Sequence, residues 1–162
     1  MFEEPKPKKK LTPSQALLKA QQNCAYQERC QQEMRDKLYG WGLYTDAVEN
    51  IIASLITDNF LNEERFAKAY SGGKFRIKKW GKIKIKMELK NRKISEYCIR
   101  KAMEEINDAD YFKTIKELIE KKSREIKGGK MQIRKYKIVQ YITSKGFEQN
   151  IVWDILKDDS QC

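Results

Sequence analysis

The sequence contains no histidine, only three prolines and four scattered cysteines, and no apolar run long enough to cross a bilayer. Each shortage removes a class of protein. Without an imidazole, Ser-His-Asp and Cys-His catalysis, histidine general bases and histidine metal ligands are excluded. The cysteines, Cys24, Cys30, Cys98 and Cys162, form no C-x-x-C pair, which argues against zinc and against a disulfide framework. They read as free thiols in a reducing cytoplasm, with core filling the plain role for Cys98. No stretch approaches ~18 apolar residues, so no membrane span is expected. Met1 to Lys10 is charged and lacks the apolar run of a signal peptide, so a cytoplasmic location is expected.

The prolines, Pro5, Pro7 and Pro13, all precede or open the first helical pattern, and nothing interrupts helices afterwards. An all-α fold follows. At 162 residues with 40% apolar content, the chain is long enough for one ordinary core and is not disordered throughout. Residues 1–11 are rich in Lys and Pro without periodicity and read as a flexible basic arm. Thr12-Pro13-Ser14-Gln15 then marks a helix start, with Thr12 as N-cap, Pro13 at the first helical position and Gln15 completing a capping box.

What the chain does have is an internal repeat. Leu38, Leu43, Val48, Ile51 and Ile52 recur 51 residues on as Leu89, Ile94, Ile99, Ala102 and Met103. They recur again after a further 53 as Ile142, Phe147, Val152, Ile155 and Leu156, and Met34, Ile85 and Ile138 extend the match upstream. Each copy reads as helix, turn, helix. Gly40-Trp41-Gly42 and Lys145-Gly146 mark turns, and Thr45 and Ser95 are candidate caps of the helices that follow. Between copies, Tyr111, Phe112, Ile115, Leu118 and Ile119 form one helical stripe, and Asn62-Glu63-Glu64 starts a helix carrying Phe66, Ala67 and Tyr70. Three three-helix modules are expected, at 12–57, 58–107 and 108–157, with a short tail at 158–162. A unit of ~50 residues is marginal alone, so the modules are expected to stack into an elongated, curved body, as a monomer.

The net charge of +11 is unevenly placed. Residues 74–93 hold ten basic residues against Glu88, residues 121–137 hold eight against Glu125, and the rest of the chain is net acidic. Lys79, Lys82, Lys86, Lys90 and Lys93 are spaced 3, 4, 4 and 3, one narrow stripe if all are helical. Like charges on neighbouring turns repel by a few tenths of a kcal/mol per pair, so the stripe becomes favourable against an anionic surface. A solvated face is the plainer alternative, although such faces normally mix signs. Polyphosphate is the natural counter-surface. The candidate binding residues are Lys74, Arg76, Lys78, Lys79, Lys82, Lys86, Lys90, Arg92 and Lys93, with Lys127, Lys130, Arg134, Lys135 and Lys137 in the second segment. Phe75, Trp80 and Tyr136 lie close enough in sequence to stack on bases, or serve as core or interface residues.

No enzyme signature, cofactor motif or metal cluster is present. Gly72-Gly73-Lys74 and Gly128-Gly129-Lys130 do not fit G-x-x-x-x-G-K-[ST] and read as helix terminators followed by basic loops. Asp108 and Asp110, and Asp154, Asp158 and Asp159, are too local to frame a site.

From Asn59-Phe60-Leu61-Asn62-Glu63-Glu64-Arg65-Phe66-Ala67 through Tyr70, then Lys79-Trp80-Gly81, then Ile85 to Ser95, the sequence resembles the RecX family of regulators of the bacterial recombinase RecA. The family's "gyl-DD-x-RFA-x-x-Y" segment and basic "G-x-x-x-I-x-x-EL-x-x-KGI" helix have their counterparts at Arg65, Phe66, Ala67, Tyr70, Gly81, Ile85, Glu88, Leu89, Lys93 and Ile94, of which Arg65, Phe66, Ala67, Tyr70, Gly81, Ile85, Leu89 and Ile94 are mostly structural. Asn62 and Glu63 replace the usual acidic pair, and Arg92-Lys93 replaces the Lys-Gly before Ile94. The resemblance implies an all-helical, curved, non-enzymatic partner of RecA and of its filament on single-stranded DNA, and the basic patches themselves would also serve duplex DNA. It implies limits on ATPase, strand exchange and filament growth in DNA repair and the SOS response. A stand-alone helical DNA-binding protein that acts without RecA is the alternative, as is a helical scaffold that binds only protein.

Overall fold

A computed structural model describes residues 10–159, and the first nine residues of the expected arm and the last three of the tail lie outside them. Among the described residues there are nine α-helices and no strand: α1 (Pro13–Tyr26), α2 (Gln31–Gly40), α3 (Thr45–Thr57), α4 (Glu63–Arg76), α5 (Lys82–Asn91), α6 (Glu96–Glu104), α7 (Asp108–Glu125), α8 (Met131–Ser144) and α9 (Gln149–Asp159). The described chain falls into two compact units. One runs to Phe66 and includes Arg92–Ile94; the other is Ala67–Asn91 with the chain from Ser95 on.

In the first unit, α1, α2 and α3 pack on one another. Helix α1 starts at the capping box: the Gln15 N–H donates to Thr12 Oγ1 at 3.2 Å, and the Thr12 N–H donates to Gln15 Oε1 at 3.1 Å. Ala16, Ala20 and Cys24 recur every four residues and give α1 a narrow buried stripe. Val48, Ile51, Ile52 and Leu55 do the same for α3 at helical spacing. Thr45 does not cap α3. Tyr44 holds the N-cap position without a side-chain bond, and Thr45 is the first helical residue. Lys10 and Leu11, the end of the expected arm, are attached to this unit: the Leu11 N–H donates to the Trp41 carbonyl at 3.1 Å and Leu11 packs against the core.

Helix α3 ends in a left-handed turn at Asn59, φ 61°. The Asn59 N–H returns to the Ile56 carbonyl and the Phe60 N–H to Leu55, the Schellman pattern. Arg65 closes this turn from outside, donating to the Asn59 and Phe60 carbonyls and to the Glu28 carboxylate.

The repeat has a backbone counterpart. Gly42, Lys93 and Gly146, related by the same offsets of 51 and 53, all have positive φ, at 88°, 59° and 98°. Each follows the first helix of a packed pair, α2 on α3, α5 on α6 and α8 on α9. At Gly42 and Gly146 the following N–H returns five residues to Leu38 and Ile142. Lys93 thus adopts a left-handed conformation that glycine adopts in the other two copies. The repeat side chains are buried in all three copies except Met103, which is half-buried.

Within the second unit, Tyr111 on α7 lies between Phe75 and Phe147, ring centroids 5.8 and 5.2 Å away. Its hydroxyl accepts the Lys82 N–H at 3.1 Å and donates to the Glu148 carboxylate at 2.5 Å. Burial, and then the hydrogen bond to Glu148, push the Tyr111 phenol well above its ordinary range. Gly81 and Gly146 meet beside it. The Gly81 N–H donates to the Lys145 carbonyl at 2.8 Å and the Ile83 N–H to the Gly146 carbonyl at 3.0 Å. A Cβ on Gly81 would collide with Gly146, and one on Gly146 with Lys84, so both positions require glycine for close approach.

Two expectations change in this unit. Gly72 and Gly73 do not terminate a helix; α4 runs through them to Arg76, and the left-handed residue of the following turn is Lys79, φ 57°. Phe112 leaves the buried stripe of α7 and is 43% exposed, whereas Tyr111, Ile115, Leu118 and Ile119 are buried. Gly128 and Gly129 do occupy the α7–α8 loop with positive φ.

Candidate functional site

Both basic segments belong almost wholly to the second unit, and the structure sorts their side chains into engaged and presented groups. On α5, Ile85 and Leu89 are fully buried and fix the helix's inward face. Lys86 and Lys90 are therefore turned outward and are exposed. Lys82 is half-buried: its ammonium lies 4.8 Å from the Tyr111 ring centre and 3.7 Å from Asp108. Lys79 and Lys93 lie beyond the two ends of α5, each with positive φ, so the expected five-lysine helical stripe reduces to Lys82, Lys86 and Lys90. The helix stops because the chain reverses its φ at both flanking turns.

Lys74 is drawn inward, its ammonium 5.4 Å from the Tyr70 ring and 4.9 Å from Trp80. Lys84 covers Trp80 as well, at 4.4 Å. Two cations thus occupy the indole, a use of the ring quadrupole that competes with base stacking. Phe75 is buried and packs on Tyr111, so it is core. Arg76 and Lys78 are exposed. Arg92, in the first unit, pairs with Glu33 at 3.4 Å.

The second segment divides similarly. Arg134 donates to the Ser123 and Ile126 carbonyls, both at 3.2 Å, and so closes the C-terminus of α7. Lys135 is half-buried, whereas Lys127, Lys130, Lys137 and Tyr136 are exposed around the Gly128-Gly129 loop and the outer side of α8. These exposed groups are what the segment presents to solvent.

A groove of about 520 Å³ beside α5 is lined by Lys82, Lys86 and Arg100 along with the acids Glu104 and Asp108, with Ile99, Met103 and Ile106 as its apolar part. Sequence reasoning did not place Arg100 near the basic helix; its spacing from Ile99 and Met103 on α6 was the available signal. Cys24 and Cys30 are buried, and burial pushes both thiols up, which disfavours the nucleophilic thiolate. Cys98, assigned to the core by composition, is only half-buried. Asp108 and Asp110 sit in the first turn of α7, behind the Asn107 cap, where the helix dipole favours acids. Among the described residues no three His, Cys, Asp or Glu side chains gather as a metal site, and no helix is long and apolar enough to cross a membrane.

Fold and surface together define an all-α protein of helical modules that presents exposed cations on one helix, α5, and on the α7–α8 loop. The chain matches the family model described as RecX, second three-helix domain, over residues 62–103, which span α4 to α6. It is 31% identical over 133 residues to the regulatory protein RecX of Clostridium perfringens (strain 13 / Type A), covering 80% of this chain and 61% of the relative. It is 23% identical over 143 residues to the regulatory protein RecX of Bacillus cereus (strain B4264), covering 88% and 53%. A crystal structure of RecX from Lactobacillus salivarius has the same fold, with a TM-score of 0.82 at 23% identity over 93% of this chain and 97% of that one. The matched domain, the curated relatives and the fold all support the RecX family for this chain. It spans 61% and 53% of the lengths of those two curated relatives.

Proposed function

We propose that this chain is a non-enzymatic modulator of RecA that binds the RecA filament on single-stranded DNA and limits its ATPase activity, strand exchange and growth. The observation that carries the reading is α5: a helix in the segment matched by the family model, with Lys86 and Lys90 exposed and its single acid, Glu88, half-buried. An outward face of one sign suits the anionic surface of a nucleoprotein filament. Lys127, Lys130 and Lys137 supply a second contact, and three modules at 12–57, 58–107 and 108–157 carry the two patches. The protein acts as a monomer in the cytoplasm.

The test is filament binding by fluorescence anisotropy with RecA assembled on a labelled oligonucleotide. Replacing Lys86 and Lys90 by Glu weakens binding at least about tenfold in low salt and flattens its salt dependence. Unchanged affinity and salt slope would refute the role of α5. The exposed cations of the α7–α8 loop also favour a second reading, a helical DNA-binding protein that works without RecA. Tight binding to bare duplex, with none to RecA, would select it.

A further inference from the structure

The outward face of α5 is not purely cationic. Residues two apart on a helix point about 200° apart, so Ile83 and Met87 face away from the buried pair Ile85 and Leu89. They are 53% and 52% exposed. With Lys86 and Lys90 they stand at i, i+3, i+4 and i+7, one contiguous outer stripe in which apolar and cationic side chains alternate. The apolar requirement of the core is already met on the other side of the helix. Isoleucine is also a poorer helix former than Lys, Glu or Ala at an exposed position, so local propensity does not account for it.

Phosphate recognition does not account for the stripe either. Counterion release rewards charge alone and gives nothing for a butyl group or a thioether. Both gain only when a partner buries them, and methionine is enriched in the apolar centres of protein interfaces, where lysine is confined to the rim. Ile83 and Met87 hold the i and i+4 anchor positions of a helix laid into a groove. The cations on the same stripe, with no acid among them, set the sign of the partner.

We propose that Ile83, Lys86, Met87 and Lys90 form a protein-docking stripe, which seats in an apolar groove bordered by acidic residues on the partner protein. This rests on the filament reading above, and within it assigns α5 to the RecA protein, leaving the DNA to other cations of the chain. The stripe is contained in one helix of the second unit, so it needs no contribution from elsewhere.

The experiment compares the full chain with a variant carrying Ile83→Ser and Met87→Ser. Both positions are solvent-facing, and circular dichroism and thermal unfolding establish that the fold is kept. Affinity is measured for RecA filaments on an oligo(dT) strand, for RecA without DNA and for the bare strand, each across a salt series. The proposal predicts roughly 10- to 50-fold weaker binding to RecA in either form, with the salt slope and any affinity for the bare strand unchanged. Equal losses on filament and bare strand would place the stripe on nucleic acid and overturn the assignment, as would no loss at all. If the unmodified chain binds neither form of RecA, the filament reading fails first and takes this inference with it.

Discussion

Lys93 offers a quantitative test of how the repeat is built. Its φ of 59° places a non-glycine residue in the left-handed region, which costs about 1–2 kcal/mol for an L-residue. Glycine removes that cost but gains entropy in the unfolded chain, worth about 0.4–1 kcal/mol in the other direction. Lys93 is exposed, so little contact is lost. Lys93→Gly should therefore stabilise the protein by about 0.5–1 kcal/mol, a rise in Tm of roughly 1–4 °C for a chain of this size. The equivalent changes elsewhere have the opposite sign. Gly42→Ala introduces the same left-handed strain, partly offset by the lower entropy of its unfolded chain, and its Cβ meets only the Lys10 side chain, which can move, so about 0.5–1 kcal/mol should be lost. Gly146→Ala adds a collision with Lys84 and a tight approach to the Gly81 carbonyl, and should cost about 3 kcal/mol or more. Urea unfolding of the three variants measures the series. A destabilised Lys93→Gly, or a Gly146→Ala no worse than Gly42→Ala, would refute the idea that one backbone turn is shared by the three copies.

Other substitutions test particular contacts. Tyr111→Phe keeps the ring packing but leaves the Lys82 N–H and the Glu148 carboxylate without their shared partner, a loss of about 1–3 kcal/mol in chemical denaturation. The pH dependence has a defined sign. The folded phenol is held above its unfolded pKa of about 10, so its contribution is complete below pH 10 and declines as pH rises beyond it. Wild type should thus lose more stability than Tyr111→Phe between pH 9 and pH 11, two values chosen to bracket that pKa. Arg134→Ala releases two carbonyls at the end of α7 and should cost about 1–2 kcal/mol, whereas the exposed Lys137→Ala should change stability by less than about 0.5 kcal/mol. Arg65→Ala removes two hydrogen bonds to the α3–α4 turn and one to Glu28 and should lower stability by about 1–2 kcal/mol, with Arg65→Lys recovering little, because an ammonium cannot reproduce the guanidinium fork.

Much of the fold was legible because its signals are local or periodic. Thr12 and Gln15 cap α1 through atoms three residues apart, and the repeated Leu38, Leu89 and Ile142 occupy one fully buried position in each copy. Ser95 caps α6 as its position suggested, donated to by the Cys98 N–H. The misreadings share a cause, since a residue's type does not state its backbone conformation. Gly72 and Gly73 carry the composition of a helix end, but the left-handed residue that ends the helix is Lys79, a type rarely associated with that region. Lys93 hid the third turn in the same way. Tyr111 looked like one more apolar position, and its polar role depends on partners 29 and 37 residues away that no window along the chain connects. For the candidate site, total charge and segment were visible in the sequence. The distinction between Lys74, held over Tyr70 and Trp80, and Lys86, presented outward, arises only from packing.

The central claim is that exposed cations on α5 let this chain modulate RecA. The most direct measurement is the ATPase rate of RecA on single-stranded DNA, with increasing amounts of the full chain or of a variant carrying Lys86→Glu and Lys90→Glu. The rate should fall with the unmodified chain and stay near its starting value with the variant at the same concentrations. Equal inhibition by both, or no effect of the unmodified chain at saturation, would contradict the account.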